Sequence, residues 1–277
     1  MNIFEAILLG IVQGLTEFLP VSSSGHLALF QRIIEATGGT MKEPSLFFDT
    51  MLHAGTLAAV FIVLWKDIWE IIKKPFQKLT FFLILATVPA VIAALTFQDA
   101  IEEIFISAKL LGWCFLLTTI LLVTAEILSR RARNNNNLRK AQDMNWLDAL
   151  IIGIMQAIAI PPGVSRSGAT ISGALFRGLD RDFAARFSFL MSIPAILGAV
   201  VLQTKDMITD SCAAESEYTI GAAAVIAGTL AAAAVGFFAV KFMLKIIREK
   251  SLFGFAIYTA ILGILVLIDQ FVTHIVF

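Results

Sequence analysis

The chain has 277 residues, 58% of them hydrophobic and only 15% charged, and its mean hydropathy is +0.85. Soluble domains carry roughly 25% charged residues, so this composition excludes an ordinary soluble protein and indicates an integral membrane protein. Acidic and basic side chains balance at 21 each, which leaves no basic surplus to attract nucleic acid.

The opening stretch, MNIFEAILLGIVQGLTEFLP, has the apolar look of a signal peptide. It lacks a basic lead and a small-x-small cleavage site, so we expect it to remain in the mature protein. It belongs to a region, 4–36, that is apolar but interrupted at mid-length by Pro20, Ser22, Ser23, Ser24 and Gly25. Neither half reaches the roughly 20 residues that a span needs. The region reads as a re-entrant helical hairpin, tolerated at membrane depth only where its broken backbone faces protein or a water-filled cavity.

Apolar segments at 48–65, 79–97 and 108–129 follow as predicted spans. Region 146–178 then repeats the first pattern, with Pro161, Pro162, Ser165, Ser167 and Gly168 at its break, and further spans are predicted at 184–204, 218–243 and 253–275. Long apolar runs between short charged loops favour helices over the period-two alternation of a barrel. The expected fold is an all-α integral membrane protein, six transmembrane helices plus two re-entrant hairpins in one membrane domain, 1–277. Cys114 inside a span and Cys212 in a loop have neither the placement nor the spacing for a disulfide, zinc or redox motif. Glu5, Glu126 and Asp269 lie near span ends, where interfacial solvation is the expected account.

Basic residues set the sidedness. Loops 66–78, 130–140, 177–186 and 241–250 hold 16 Lys and Arg, against 4 in 27–47, 98–109 and 205–217, so the former are expected in the cytoplasm. Arg166 belongs to neither surface, and an arginine inside a bilayer needs a partner. Superposing the chain on itself at an offset of 143 matches Ala6 with Ala149, Gly10 with Gly153, Gln13 with Gln156, Ser22 with Ser165, Ser24 with Ser167 and Gly25 with Gly168. Halves of roughly 1–143 and 144–277, each a hairpin plus three spans, cross the membrane an odd number of times. The second half is therefore expected upside down, with the two broken tips meeting near the midplane.

The polar residues at those tips suggest chemistry. Gln13 and Glu17 share one helix face, and an intramembrane carboxylate is a functional hypothesis by default. Ser22, Ser23, Ser24 and Gly25, like Ser165, Ser167 and Gly168, place hydroxyls and free amides at helix starts, which bind anions. Arg166 adds a planar fork suited to phosphate oxygens. His26 is a candidate nucleophile or proton shuttle. His53 and Asp49 start a span and are expected only as supporting or gating groups. Phosphate chemistry on a membrane-embedded substrate fits this set best.

The stretches QGLTEFLPVSSSGH and PGVSRSGATISGALFRG resemble the two signature motifs of the undecaprenyl-diphosphate phosphatase family, also called the bacitracin resistance protein family. Similarity extends along the chain through FDTMLHAGTLAAV and FAIYTAILGILVL. The resemblance implies hydrolysis of undecaprenyl diphosphate to the monophosphate and inorganic phosphate, which recycles the lipid carrier for cell-wall synthesis, in the bacterial plasma membrane with the site open to the outer face. It implies Glu17, His26 and Arg166 as catalytic residues and Ser23, Ser165 and Thr170 as phosphate contacts. It also implies activation by magnesium or calcium, for which Glu17 is the natural ligand. The family's first acidic position allows Glu or Gln; here it is Gln13, which leaves Glu17 as the single carboxylate. The implied partners are the polyprenyl diphosphate, membrane lipids and a second copy of the chain in a homodimer, an assembly that the sequence leaves open. Also open are the nucleophile, among His26, a serine and water, and two rival classes: a lipid transporter or flippase, and a structural scaffold.

Overall fold

A computed structural model describes residues 1–39, 46–135, 137–209 and 220–277; Cys212 lies outside the described residues. Among these residues every regular element is helical, apart from one bridge between Arg139 and Leu179. In chain order the helices are α1 (Ile3–Thr16), α2 (Ser23–Ala36), α3 (Leu46–Val63), α4 (Trp65–Lys73), α5 (Lys78–Thr96), α6 (Gln98–Ser107), α7 (Leu111–Asn134), α8 (Trp146–Ile158), α9 (Arg166–Phe176), α10 (Arg181–Thr209), α11 (Ala222–Glu249) and α12 (Phe253–Ile268). A 3₁₀ turn at Ala141–Asp143 precedes α8, and a π-turn at Asp269–Thr273 follows α12.

Five helices are long and apolar enough to cross a membrane, or six if α3 and α4 form one bent span. The predicted segments all appear as helices. Stretches expected as loops are helical too, among them α4 in 66–78, α6 in 98–109 and the end of α11 in 241–250. α4 leaves α3 at 79° and exposes Trp65, Trp69 and Ile72, with the two indoles stacked at 5.3 Å and Lys73 over Trp69. Aromatic and basic side chains together on a short helix suit a membrane surface, which explains why a charge-bearing stretch keeps helical order.

α1 and α8, at 14 and 13 residues, are each about 20 Å long at 1.5 Å per residue, short of the ~30 Å hydrocarbon core. Both begin at a reciprocal cap, Asn2 with Glu5 and Asn145 with Asp148. α1 packs on α11, and α8 packs on α5. The contacts are counterparts at the offset of 143: a Cβ on Gly10 would run into the Gly228 carbonyl, and one on Gly153 into the Ala86 carbonyl. Glycine is what allows these backbones to touch. Gly10→Leu and Gly153→Leu are each expected to lower the thermal unfolding midpoint in detergent. Gly254→Leu, with nothing among the described residues within 4 Å of its Cβ position, should leave it in place. Equal midpoints in all three would refute the close packing.

Glu126 corrects the sequence expectation of interfacial solvation. It is 1% exposed and held by Arg130 at 2.7 Å, Arg181 at 2.9 Å and the Leu252 amide at 3.0 Å. A buried carboxylate requires such partners, and they come from α7, α10 and the start of α12. Asp148 is similarly clamped by Arg139 (2.6 Å) and Arg177 (2.7 Å). Asp269 accepts from the Ile275, Val276 and Phe277 amides and from Thr273, closing the C-terminus, and Glu5 serves the α1 cap.

Candidate active site

α1 ends at Thr16, and the chain turns through Leu19–Val21 before Ser22 starts α2 with φ +71. A left-handed non-glycine residue costs about 1–3 kcal/mol. Two hydrogen bonds hold it: Ser22 Oγ accepts from the Gly25 amide at 3.2 Å and from the Gly163 amide at 3.1 Å. Ser165 plays the corresponding part for α9, its Oγ accepting from the Gly168 amide at 3.0 Å, and Gly163 before it has φ +96.

The two breaks interlock. A Cβ on Gly25 would fall 2.8 Å from Gly163 Cα, and one on Gly168 would lie 3.3 Å from Pro20 Cβ. Ser167 Oγ donates to the Leu19 carbonyl at 3.0 Å. The starts of α2 and α9 are thus fixed against each other, each with first-turn amides that no intrahelical acceptor uses.

Glu17, 4% exposed, is the focus. Its Oε1 accepts from Arg166, which supplies the partner that this arginine required. Its Oε2 accepts from Gln13 Nε2 at 2.9 Å and from Ser23 Oγ at 2.6 Å. His53 joins from α3, with Nδ1 3.1 Å from Oε2 and 2.8 Å from Gln13 Nε2. Asp49, one turn earlier, accepts from Gln31 at 2.7 Å instead. Sequence reasoning gave His53 only a supporting part. The signal was the spacing of Asp49 and His53 on one face of an apolar helix.

Glu17, His53 and Arg166, with Ser22, Ser23, Ser24 and Ser165, line a cavity of 380 Å³. Thr50, Gln156 and apolar groups of α5 and α10, including Ala90, Ala94, Pro194 and Ala199, complete its wall. Gln156 is the counterpart of Gln13, and its place on the wall goes beyond what the repeat alone suggests. A second cavity of 480 Å³, lined by side chains such as Ile68, Leu83, Ile84, Val88 and Leu190, shares Thr87, Val91 and Pro194 with the first. A cavity with polar groups at Glu17, Arg166 and the serines therefore adjoins an apolar one.

Other expected residues stand apart from this wall. His26 is 3% exposed, with Nδ1 2.6 Å from the Ser22 carbonyl and Nε2 2.7 Å from the Tyr258 hydroxyl. A carbonyl oxygen only accepts, so Nδ1 carries a proton, while Nε2 is paired with the Tyr258 hydroxyl. The ring also stacks on Tyr258 and meets the edge of Phe115. Thr170 Oγ1 is engaged with the Arg166 carbonyl at 2.8 Å and Ser188 Oγ at 2.6 Å. Gly25, Ser167 and Gly168 are buried in the interlock rather than on the wall.

Residues 6–265 match the family model described as bacitracin resistance protein BacA. An undecaprenyl-diphosphatase from Carboxydothermus hydrogenoformans is 46% identical over 270 residues, covering 98% of each chain. An undecaprenyl-diphosphatase 4 from Bacillus cereus is 47% identical over 271 residues, again 98% of each. An undecaprenyl-diphosphatase from Alkaliphilus metalliredigens is 41% identical over 286 residues, covering 97% of this chain and 98% of its own.

Proposed function

The chain belongs to the bacitracin resistance protein BacA family, and from that premise we propose that its cavity hydrolyses undecaprenyl diphosphate to undecaprenyl phosphate and inorganic phosphate, recycling the lipid carrier for cell-wall synthesis. The observation that carries this reading is the meeting of Arg166, Glu17 and Ser23 at two helix starts, at the head of a cavity whose far side is apolar. That is the shape of a diphosphate on a hydrocarbon tail.

The tail lies in the apolar groove, and the diphosphate enters between the starts of α2 and α9. There the free amides, the helix dipoles and the remaining donors of the Arg166 guanidinium face its oxygens. Ser23 Oγ attacks the terminal phosphorus as Glu17 Oε2 takes its proton, the bond to the bridging oxygen breaks, and undecaprenyl phosphate leaves. Glu17 passes that proton to the departing bridging oxygen; water then attacks the phosphoserine with the ionised Glu17 again as base, and the proton returns to Ser23 Oγ as inorganic phosphate is released. Arg166 balances the charge that develops on the phosphoryl oxygens, the largest contribution in such sites. Because Gln13 cannot ionise, Arg166 is the group that balances the negative charge of Glu17, with the His53 ring 3.1 Å from the same carboxylate. His26 anchors the first turn of α2 through the Ser22 carbonyl; as a nucleophile it would first have to leave Tyr258.

Magnesium or calcium is proposed to arrive with the diphosphate rather than to reside in the protein. A hard cation needs several oxygen ligands, while the single carboxylate here already has Arg166, Gln13 and Ser23 on its oxygens. The described residues contain no group of three or more acidic, His or Cys side chains able to hold it. No step above runs through the cation.

The two halves are proposed to be inverted repeats whose breaks form re-entrant tips. The paired glycine contacts of α1 with α11 and of α8 with α5, and the matching caps Ser22 and Ser165, support this. With the basic loops in the cytoplasm of a bacterial plasma membrane, α5 and α10 both start inside. The cavity-lining residues Ala90 to Leu95 and Pro194 to Ala199 then lie in the outer half, so the site opens outward.

Purified protein in detergent should release phosphate from undecaprenyl diphosphate, and a chelator should lower turnover without shifting the unfolding midpoint. Binding of the lipid without phosphate release would favour a flippase and sink the enzyme. Quenching with labelled substrate should leave phosphate on Ser23; label on His26 would replace it as nucleophile.

A further inference from the structure

Gln156 is the one polar side chain of the cavity wall that the mechanism above leaves unused and whose amide has no partner among the described residues. It is 3% exposed, and neither its Nε2 nor its Oε1 is hydrogen-bonded there. Leaving a buried amide unpaired is costly; in its counterpart Gln13 only Oε1 lacks a partner among the described residues, the Nε2 being engaged with Glu17 and His53. A group kept polar in a sealed wall needs a partner that arrives from outside.

Its place shows which part of a substrate it meets. Gln156 follows Gly153 by three residues and so faces the same side of α8, the side on which Gly153 abuts Ala86 of α5. The next residue of α5, Thr87, lines both the head cavity and the apolar groove. Gln156 therefore lines the same cavity as Arg166, Glu17 and Ser23, on the side of α8 that faces α5 and its groove-lining Thr87.

We propose that Gln156 donates its carboxamide N–H to the phosphate esterified to the lipid, the one retained in the product, and so sets the register of the diphosphate along the cavity. This rests on the phosphatase reading. Gln156 is a substrate-positioning residue, and it distinguishes a lipid phosphate from free phosphate.

The test is Gln156→Leu, of similar volume but without polar atoms. A lost hydrogen bond to a charged group predicts a roughly 10- to 100-fold rise in KM for undecaprenyl diphosphate, with a smaller fall in kcat. The inhibition constant of undecaprenyl monophosphate should rise by the same factor, and that of inorganic phosphate should stay put. Removing two unpaired buried atoms should also raise the unfolding midpoint of the ligand-free protein, an effect that a purely structural amide would reverse. Gln156→Glu, isosteric but anionic, should raise KM further and serves if the leucine variant does not fold. Unchanged KM and monophosphate inhibition in a folded variant, or an equal rise for inorganic phosphate, overturns the proposal. A wild type that releases no phosphate instead overturns the phosphatase reading beneath it.

Discussion

Glu17→Gln, which keeps size and hydrogen-bonding shape while removing the charge, is expected to cut kcat by about 10²- to 10⁴-fold, the range of a lost general base. Ser23 Oγ would then face an amide that cannot take its proton, and the Arg166 guanidinium would lose its counter-charge. Glu17→Ala and Arg166→Ala should each abolish measurable turnover. Arg166→Lys should rescue little, because a point charge does not reproduce a planar fork. Initial rates of phosphate release, with size-exclusion profiles to verify folding, decide the matter. Retained activity in any of the Glu17 variants would remove that carboxylate from the mechanism.

Glu126→Ala is the largest expected loss of stability. Removing one partner of a buried ion pair typically costs about 3–5 kcal/mol, because the other charge stays behind. Here the stranded group is chiefly Arg181, whose side chain is 9% exposed, whereas Arg130 is 52% exposed and can turn to solvent. The Leu252 amide also loses its acceptor, loosening the start of α12 from α7. Chemical denaturation of the variant should show an earlier transition, while KM of whatever fraction stays folded should match wild type. An unchanged transition would mean that the clamp contributes nothing to stability.

Composition and hydropathy made the helical membrane class and its apolar segments legible, since each needs only local sequence. The partner of Arg166 was legible as a requirement, because a charge at that depth cannot stand alone. Its identity, Glu17 at the other break, is given by the fold that brings the two breaks together. His53 was harder to place, because its position beside Glu17 depends on a third helix. Gly10 of α1 and Gly55 of α3 both press on α11, at Gly228 and Thr229, and that shared template puts the two side by side. No spacing between residues 17 and 53 encodes it. His26 failed to join the wall for a similar reason: an aromatic slot built by Phe115 and Tyr258, far along the chain, captures its ring. Thr170 lies one turn inside α9, where its hydroxyl finds the Arg166 carbonyl before it can reach a ligand.

The Glu17–Arg166 pair also carries a timing. The two residues are separated by 149 positions, which at 5–20 residues per second of synthesis amounts to roughly 7–30 s. Through that interval the nascent carboxylate has only the Gln13 amide, the Ser23 hydroxyl and, once α3 is made, the His53 imidazole for company. The first half of the chain thus waits in an unfinished state that a translocase or a neighbouring protein has to tolerate. The arginine that later joins the two breaks does so before α10, α11 and α12 have been made, so the pair can form while α1 still lacks the α11 surface on which it finally packs.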